Sequence, residues 1–263
     1  MNGHSPSITD RILEYEQSIP QHRAGTVEVP VLQALERLVQ APLDFTVETG
    51  CGKSTILLSN MSRAHVVFAV DDSSEENSSI AYFKGCPVFR ADRTRLVLGP
   101  TQATLPSFEF PSSIDLAFLD GPHGYPFPEL EYAFIYPHLR PGSILVIDDI
   151  HIPTIHRLFE FLREDDMFAL ADVVQTTAFF RRTEAPALDR FGDGWWLQKF
   201  NTKRFPVAVS MAPPETIEDS RLLREEITRL QAERAELSQS LAWWQHAADE
   251  RRLRRRLARL LGR

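Results

Sequence analysis

The sequence predicts an α/β fold: a mostly parallel sheet with helices on both faces, followed by a helical tail. Three observations predict it. Short apolar runs alternate with helical patterns along most of the chain. Three of the runs end in acids, at Asp71-Asp72, Asp120 and Asp148-Asp149. Beyond Pro213-Pro214 the pattern changes to apolar residues at alternating spacings of three and four. The organisation that follows is an N-terminal extension (1–26), an α/β domain (27–212) and a helical, coiled-coil tail (217–263) with an arginine-rich end.

The elements can be taken in order. Residues 27–40 (VEVPVLQALERLVQ) carry apolar residues at helical spacing. Asp44 to Glu48 reads as a strand running into a glycine-rich turn, and Ser54 to Ser62 as the helix that leaves it. His65 to Val70 (HVVFAV) is a second strand, and Arg95 to Leu98 a short third. Ile114 to Leu119 (IDLAFL) is a fourth strand. Leu130 to Leu139 is helical and stops before Pro141-Gly142. Ser143 to Ile147 is a fifth strand and Thr154 to Arg163 a helix. Two late strands fall near Ala169–Val174 and Thr177–Arg181. In open α/β sheets the ligand crevice lies at the carboxyl ends of the strands. Glu48, Asp71, Asp72, Asp120, Asp148 and Asp149 are therefore expected around one rim.

Bulk properties narrow the class. The chain has 263 residues, 43% of them hydrophobic, enough for one sizeable core and an appendage. No run approaches the roughly 20 apolar residues of a membrane span. Met1 to Asp10 is polar and lacks the apolar stretch of a signal peptide. Cys51 and Cys86 are too few for a disulfide framework, so a reducing cytoplasm is expected. The net charge is −7, with the tail near +3 and the remainder near −10. An acidic main domain argues against a broad nucleic-acid-binding face.

The turn Glu48-Thr49-Gly50-Cys51-Gly52-Lys53-Ser54-Thr55 admits three chemistries. A P-loop needs a glycine five positions before its Gly-Lys-Ser/Thr, and Val47 stands there. A dinucleotide fingerprint wants a third glycine where Thr55 stands. An acid-x-Gly-x-Gly turn instead lets the backbone of Gly50, Cys51 and Gly52 approach S-adenosylmethionine. There Glu48 would hold the charged amino-acid end of the cofactor, directly or through water. Asp71, with Asp72 beside it, ends the next strand. An acid there can accept from both ribose hydroxyls, which suits NAD and S-adenosylmethionine equally. Cys51 reads as a small residue allowing close packing, with no partner base to make it a nucleophile.

At this point the sequence resembles the class I S-adenosylmethionine-dependent methyltransferases, and within them the macrocin O-methyltransferase-like branch. VETGCGKST, FAVDD, IDLAFLDGPHGY and LRPGSILVIDDIH carry the resemblance over residues 47–151, with a looser match to about 205 that includes FGDGWWLQKFN. The resemblance implies a Rossmann-like, seven-stranded sheet with the cofactor at the glycine turn, where Asp120 also touches it. Carried over by position, Asp120, Asp148 and Asp149 would hold a divalent metal. Carboxylates crowded on one rim repel unless a cation or protons compensate, and oxygen ligands suit Mg²⁺ or Mn²⁺. His123 and His151 stand beside these acids, and either is a candidate base for a substrate hydroxyl; the alternative is a structural hydrogen bond. Gly192 to Trp196 is either an aromatic wall for the acceptor or a buried tryptophan pair.

The implied activity is O-methylation of a small-molecule or sugar hydroxyl, metal-assisted. The rivals are a binding scaffold without activity and, further off, a nucleotide phosphate-binding enzyme. The tail pattern (Leu223, Ile227, Leu230, Leu237, Leu241, Trp244, Ala248) favours self-association or docking to a partner helix. Packing on its own domain, or contact of its arginines with an anionic surface, are the alternatives.

Overall fold

The computed structural model of the chain describes residues 6–19, 27–39, 42–75, 77–188, 198–204 and 228–229. The elements run α1 (Ile8–Gln17), α2 (Val29–Leu38), β1 (Leu43–Thr49), α3 (Lys53–Met61), β2 (Ser62–Ala69), α4 (Ser79–Gly85), β3 (Thr94–Leu98), α5 (Thr101–Thr104), β4 (Ile114–Leu119), α6 (Phe127–Ile135), β5 (Leu139–Ile147), α7 (Pro153–Glu164), β6 (Phe168–Val174), β7 (Thr177–Arg182) and α8 (Lys199–Arg204). Two units are distinguished, Met1–Lys203 and Arg204–Arg263, and every strand among the described residues lies in the first. The coiled coil expected over 217–263 lies outside the described residues except for a helical pair at 228–229, and so does Gly192–Trp196. Among the described residues no helix is long and apolar enough to cross a membrane.

The seven strands form one sheet in the order β3-β2-β1-β4-β5-β7-β6. The first five are parallel to one another, while β7 runs antiparallel to both β5 and β6. Strand alternation sorts the side chains into two cores. Val47, Ala117, Leu119, Leu145 and Ile147 face α6 and α7, meeting Tyr132, Ile135, Ile155 and Leu158. Leu116, Phe118, Ile144 and Val146 face the opposite way, meeting Leu32 and Leu35 of α2 and Ile56 and Leu57 of α3. Because both faces are covered, β4 is buried at all six positions, which is why it is apolar except at Asp115, whose carboxylate accepts from the Asp44 and Phe45 N–H groups.

Two boundaries differ from the sequence expectation. The helix expected over 130–139 is α6 at Phe127–Ile135, then a tight 3-10 turn at Tyr136–His138. Pro141-Gly142, expected to punctuate a helix end, lies inside β5. The pairing of β4 with β5 jumps there from Ile114↔Leu139 to Leu116↔Ile144. Gly142 takes φ +86 in this bulge, a conformation that favours glycine. The extension over 1–26 contains a helix the sequence expectation omitted. α1 starts with a capping box, in which Ser7 and Asp10 satisfy each other's backbone N–H. It buries Ile12, and the Thr9 hydroxyl donates to Glu36 of α2 at 2.7 Å.

Candidate active site

The order in which strands are added reverses at β1, with β2 and β3 to one side and β4 and β5 to the other, so the crevice opens at the carboxyl end of β1. Glu48, Asp71, Asp72, Asp120, Asp148 and Asp149 all fall at the ends of the adjacent strands β2, β1, β4 and β5.

On the β1–β2 side the turn is shaped by two different glycines. Gly50 sits at φ +80, and a Cβ there would lie 2.1 Å from the Asp120 carbonyl oxygen. Only glycine allows β1 and β4 to end so close together. A Cβ on Gly52 would instead enter open space, so its backbone is approachable from outside. The Gly52 N–H donates to Thr55 Oγ1 at 2.9 Å, and the Thr55 hydroxyl donates to Glu48 Oε2 at 2.6 Å. Thr55 thus does at the third fingerprint position what a glycine could not. Glu48 is fully buried, and its second oxygen, Oε1, has no protein partner. Lys53 is engaged in a partly buried ion pair with Glu16 of α1 at 3.0 Å, which removes it as a phosphate ligand. Burial, then the charges of Glu48, Asp72 and Asp120, push the Cys51 thiol up to about 12. It stays a neutral, unreactive thiol at neutral pH.

The two acids after β2 are employed differently. Asp71 is exposed, and its Oδ1 accepts from the hydroxyl and N–H of Ser73, which lowers its pKa. Asp72 accepts from the Ser78 hydroxyl at 2.8 Å and the Ser79 N–H at 2.6 Å, building the start of α4. The structure therefore leaves Asp71 facing outward while Asp72 is engaged by its own chain.

On the β4–β5 side a cleft of about 520 Å³ is lined by Glu28, Asp120, His123, Asp148, Asp149, His151, Gln175 and Thr176. Asp149 stands at φ +55 in the turn after β5, a region short acids tolerate, and this aims its carboxylate across the cleft. His123 Nε2 lies 3.3 Å from Asp149 Oδ2 and 3.8 Å from Asp120 Oδ1. Ligand atoms of Asp120, His123 and Asp149 all fall within 4.8 Å of one another. His151 Nδ1 lies 3.6 Å from Asp149 Oδ1, and the ring is largely exposed. Asp148 lines the same cleft, but its Oδ1 accepts from the Thr177 hydroxyl at 2.5 Å and the Asp149 N–H at 2.9 Å. Among the sequence-derived ligands, Asp120 and Asp149 meet closely, His123 joins them, and Asp148 stands behind.

The electrostatics of this half are strained. Burial, opposed by the bond to His123 and reinforced by the charges of Asp148, Glu48 and Asp149, raises Asp120 to about 7. Burial likewise raises Asp148. Pairing with Asp120, together with the charge of Asp149, raises His123. Two carboxylates and an imidazole all raised from their ordinary values describe a pocket short of positive charge.

Three contributors were missed by the sequence reading. Glu131 of α6 lies beneath the loop after β4, so tightly that a Cβ on Gly121 would overlap its carboxylate. It accepts from the Thr49 hydroxyl at 2.7 Å, and burial raises it to about 7. Its only signal was an acid inside the largely apolar helix FPELEYAFI. Glu28, one residue before α2, reaches the cleft through tertiary packing and had no local signal. His65, which opens the apolar run of β2, lies against Glu48.

Residues 47–150 match the family model for a methyltransferase domain. A candidate O-methyltransferase from Klebsiella pneumoniae covers 70% of this chain and 92% of its own, with a TM-score of 0.51 and 18% identity. The O-methyltransferase from Bacillus cereus, solved in complex with SAH, covers 70% and 94%, with a TM-score of 0.51 and 15% identity. At these identities the likeness is one of fold. No curated protein matches the sequence.

Proposed function

The chain carries a class I S-adenosylmethionine-dependent methyltransferase domain, and from that premise we propose that it methylates a hydroxyl of a small-molecule or glycan acceptor with the help of a divalent cation. The observation that carries this reading is the meeting of Asp120, His123 and Asp149 within 4.8 Å beside the glycine turn.

The cofactor side fits S-adenosylmethionine. The buried, unpartnered Glu48 Oε1 is a ready acceptor for an α-ammonium group. The open side of Gly52 gives the backbone access to the ligand, and Asp71 is free to accept from ribose hydroxyls. When bound, this cofactor supplies a methyl group activated on a sulfonium. The protein's part is to hold that methyl in line with an acceptor oxygen.

The acceptor side fits a divalent cation, and the imidazole beside the two carboxylates favours Mn²⁺ over Mg²⁺. Two carboxylates and one imidazole would hold the ion, and its charge would offset the burial and the neighbouring carboxylates that together raise Asp120 to about 7. A cation there supplies positive charge that favours an ionised acceptor oxygen. With His123 among the metal-holding groups, His151 is left as the proton acceptor. Its Nδ1 faces Asp149, which orients the ring, and its Nε2 takes the hydroxyl proton. Asp148, fixed by Thr177, keeps Asp149 in place through its backbone N–H.

A reducing compartment such as the cytoplasm suits the free thiols Cys51 and Cys86. The tail over 217–263 we assign to self-association or to a partner helix, on its sequence pattern.

The test is transfer of labelled methyl from S-adenosylmethionine to a panel of catechols, sugar diols and glycosylated metabolites, with Mg²⁺, with Mn²⁺ and with a chelator. Turnover that needs the metal is expected. Tight cofactor binding with no transfer to any acceptor would favour a binding scaffold instead.

A further inference from the structure

Beneath the cofactor turn lies a chain of buried polar groups whose hydrogens can be counted. Thr46, Glu48, Thr55, Ser62 and His65 are each at most 1% exposed. The Ser62 hydroxyl donates its one hydrogen to the Leu58 carbonyl at 2.7 Å. Ser62 Oγ is therefore an acceptor toward Thr46, whose hydroxyl donates to it at 3.0 Å. Thr46 has then spent its only hydrogen. With the hydroxyls so directed, its 2.9 Å contact with His65 Nδ1 is a bond in which the ring N–H donates. This fixes the ring: Nδ1 carries a proton, and Nε2 faces outward toward the turn.

What Nε2 faces is Glu48 Oε2, at 3.4 Å, and it has no other partner. Two bare lone pairs confronting each other in a dry interior would repel, and neither could turn to water. A proton therefore belongs between them. Glu48 Oε2 already accepts from Thr55, so a hydrogen from His65 completes its coordination. Both contacts engage the same oxygen. They leave Oε1 buried, unpartnered and available.

We propose that His65 is a positioning residue for the cofactor: Nδ1–H is anchored on the Thr46–Ser62–Leu58 chain, and a proton on Nε2 holds Glu48 Oε2 so that Oε1 is presented to the α-ammonium group of S-adenosylmethionine. The inference rests on the reading that Glu48 binds that group. His65 touches no reacting atom. It sets the orientation of the carboxylate that does the holding.

Two substitutions separate positioning from mere packing. In His65→Gln the side-chain amide can replace Nε2 as a donor to Glu48. In His65→Asn it can replace Nδ1 as a donor to Thr46, leaving Glu48 Oε2 with Thr55 alone. Calorimetric titration of the full chain with S-adenosylhomocysteine is expected to show His65→Asn weakened about tenfold or more, the scale of one hydrogen bond to a charged group, and His65→Gln within about threefold of the parent. Equal weakening of the two, or parental affinity in His65→Asn, would overturn the proposal. In the unsubstituted protein, ¹⁵N imidazole signals should show His65 protonated at Nδ1, with the Nε2 signal moving when S-adenosylhomocysteine binds. A bare Nδ1 would overturn it without any variant having to fold. Glu48→Gln tells the two readings apart. If its affinity equals the parent's, Glu48 does not hold the cofactor. If it is weak while His65→Asn is parental, only the role of His65 is wrong.

Discussion

The two halves of the crevice rim hold their acids in opposite ways. On the β1–β2 side the fold satisfies its own carboxylates: Asp72 starts α4, Asp71 closes a turn on Ser73, and Glu48 is tied to Thr55. One buried oxygen, Glu48 Oε1, is left over. On the β4–β5 side the acids lean on histidines and on one another, and Asp120 is driven up to about 7. On the function proposed above, the first half would take a ligand bearing one cationic group and hydroxyls, and the second a concentrated positive charge. The difference teaches that clustered acids on a sheet edge have no common meaning until their hydrogen-bond partners are counted.

The comparison breaks most sharply at Asp149. Asp149→Asn removes a carboxylate from the close cluster and the orienting partner of His151. Methyl transfer should fall about a hundredfold or more. The thermal shift caused by Mn²⁺ should vanish, while affinity for S-adenosylhomocysteine stays within about threefold. Single-turnover transfer and titration on one preparation check both, and a parallel loss of cofactor affinity would merge the two halves. The complementary change is Glu48→Gln, which should weaken S-adenosylhomocysteine about tenfold or more and leave the Mn²⁺ shift in place.

A smaller effect tests the charge balance. Glu131 is raised by burial from 4.5 to about 7, so the folded protein holds its proton where the unfolded chain has lost it. Stability from this group is then fully present below about 4.5 and is lost as the pH rises through about 7. Urea unfolding across that window should show a decline that is shallower in Glu131→Gln, which keeps the contact with Thr49 and cannot ionise. The smallest effect concerns Asp72. Asp72→Ala should cost about 1 kcal/mol of unfolding free energy by uncapping α4, with cofactor affinity changed less than in Asp71→Ala.

The architecture was legible because period and order are local properties. Seven strands and the long helices between them follow from apolar spacing, and the acids at strand ends follow from topology. The bulge at Pro141-Gly142 was not legible, since the same dipeptide signals a turn or an irregular strand until the pairing partner is known. α1 was missed because Ile12 is its one fully buried apolar residue, Ile8 and Tyr15 being only partly buried, and much of its anchorage is polar, through Glu36 and Lys53. At the site, residue types and their clustering could be read, but not their division of labour. Nothing in Asp71-Asp72 says which acid caps a helix, and nothing in Asp148-Asp149 says which one Thr177 will engage. Glu131, Glu28 and His65 reach the site through tertiary packing alone.

The most direct test of the central claim is titration of the full chain with S-adenosylhomocysteine and, separately, with ATP, with and without Mn²⁺. The account predicts binding of S-adenosylhomocysteine at one site, no binding of ATP, and a separate Mn²⁺ response lost in Asp149→Asn. Binding of ATP alone would contradict it, because Lys53 would then have to leave Glu16 and serve phosphates at the glycine turn.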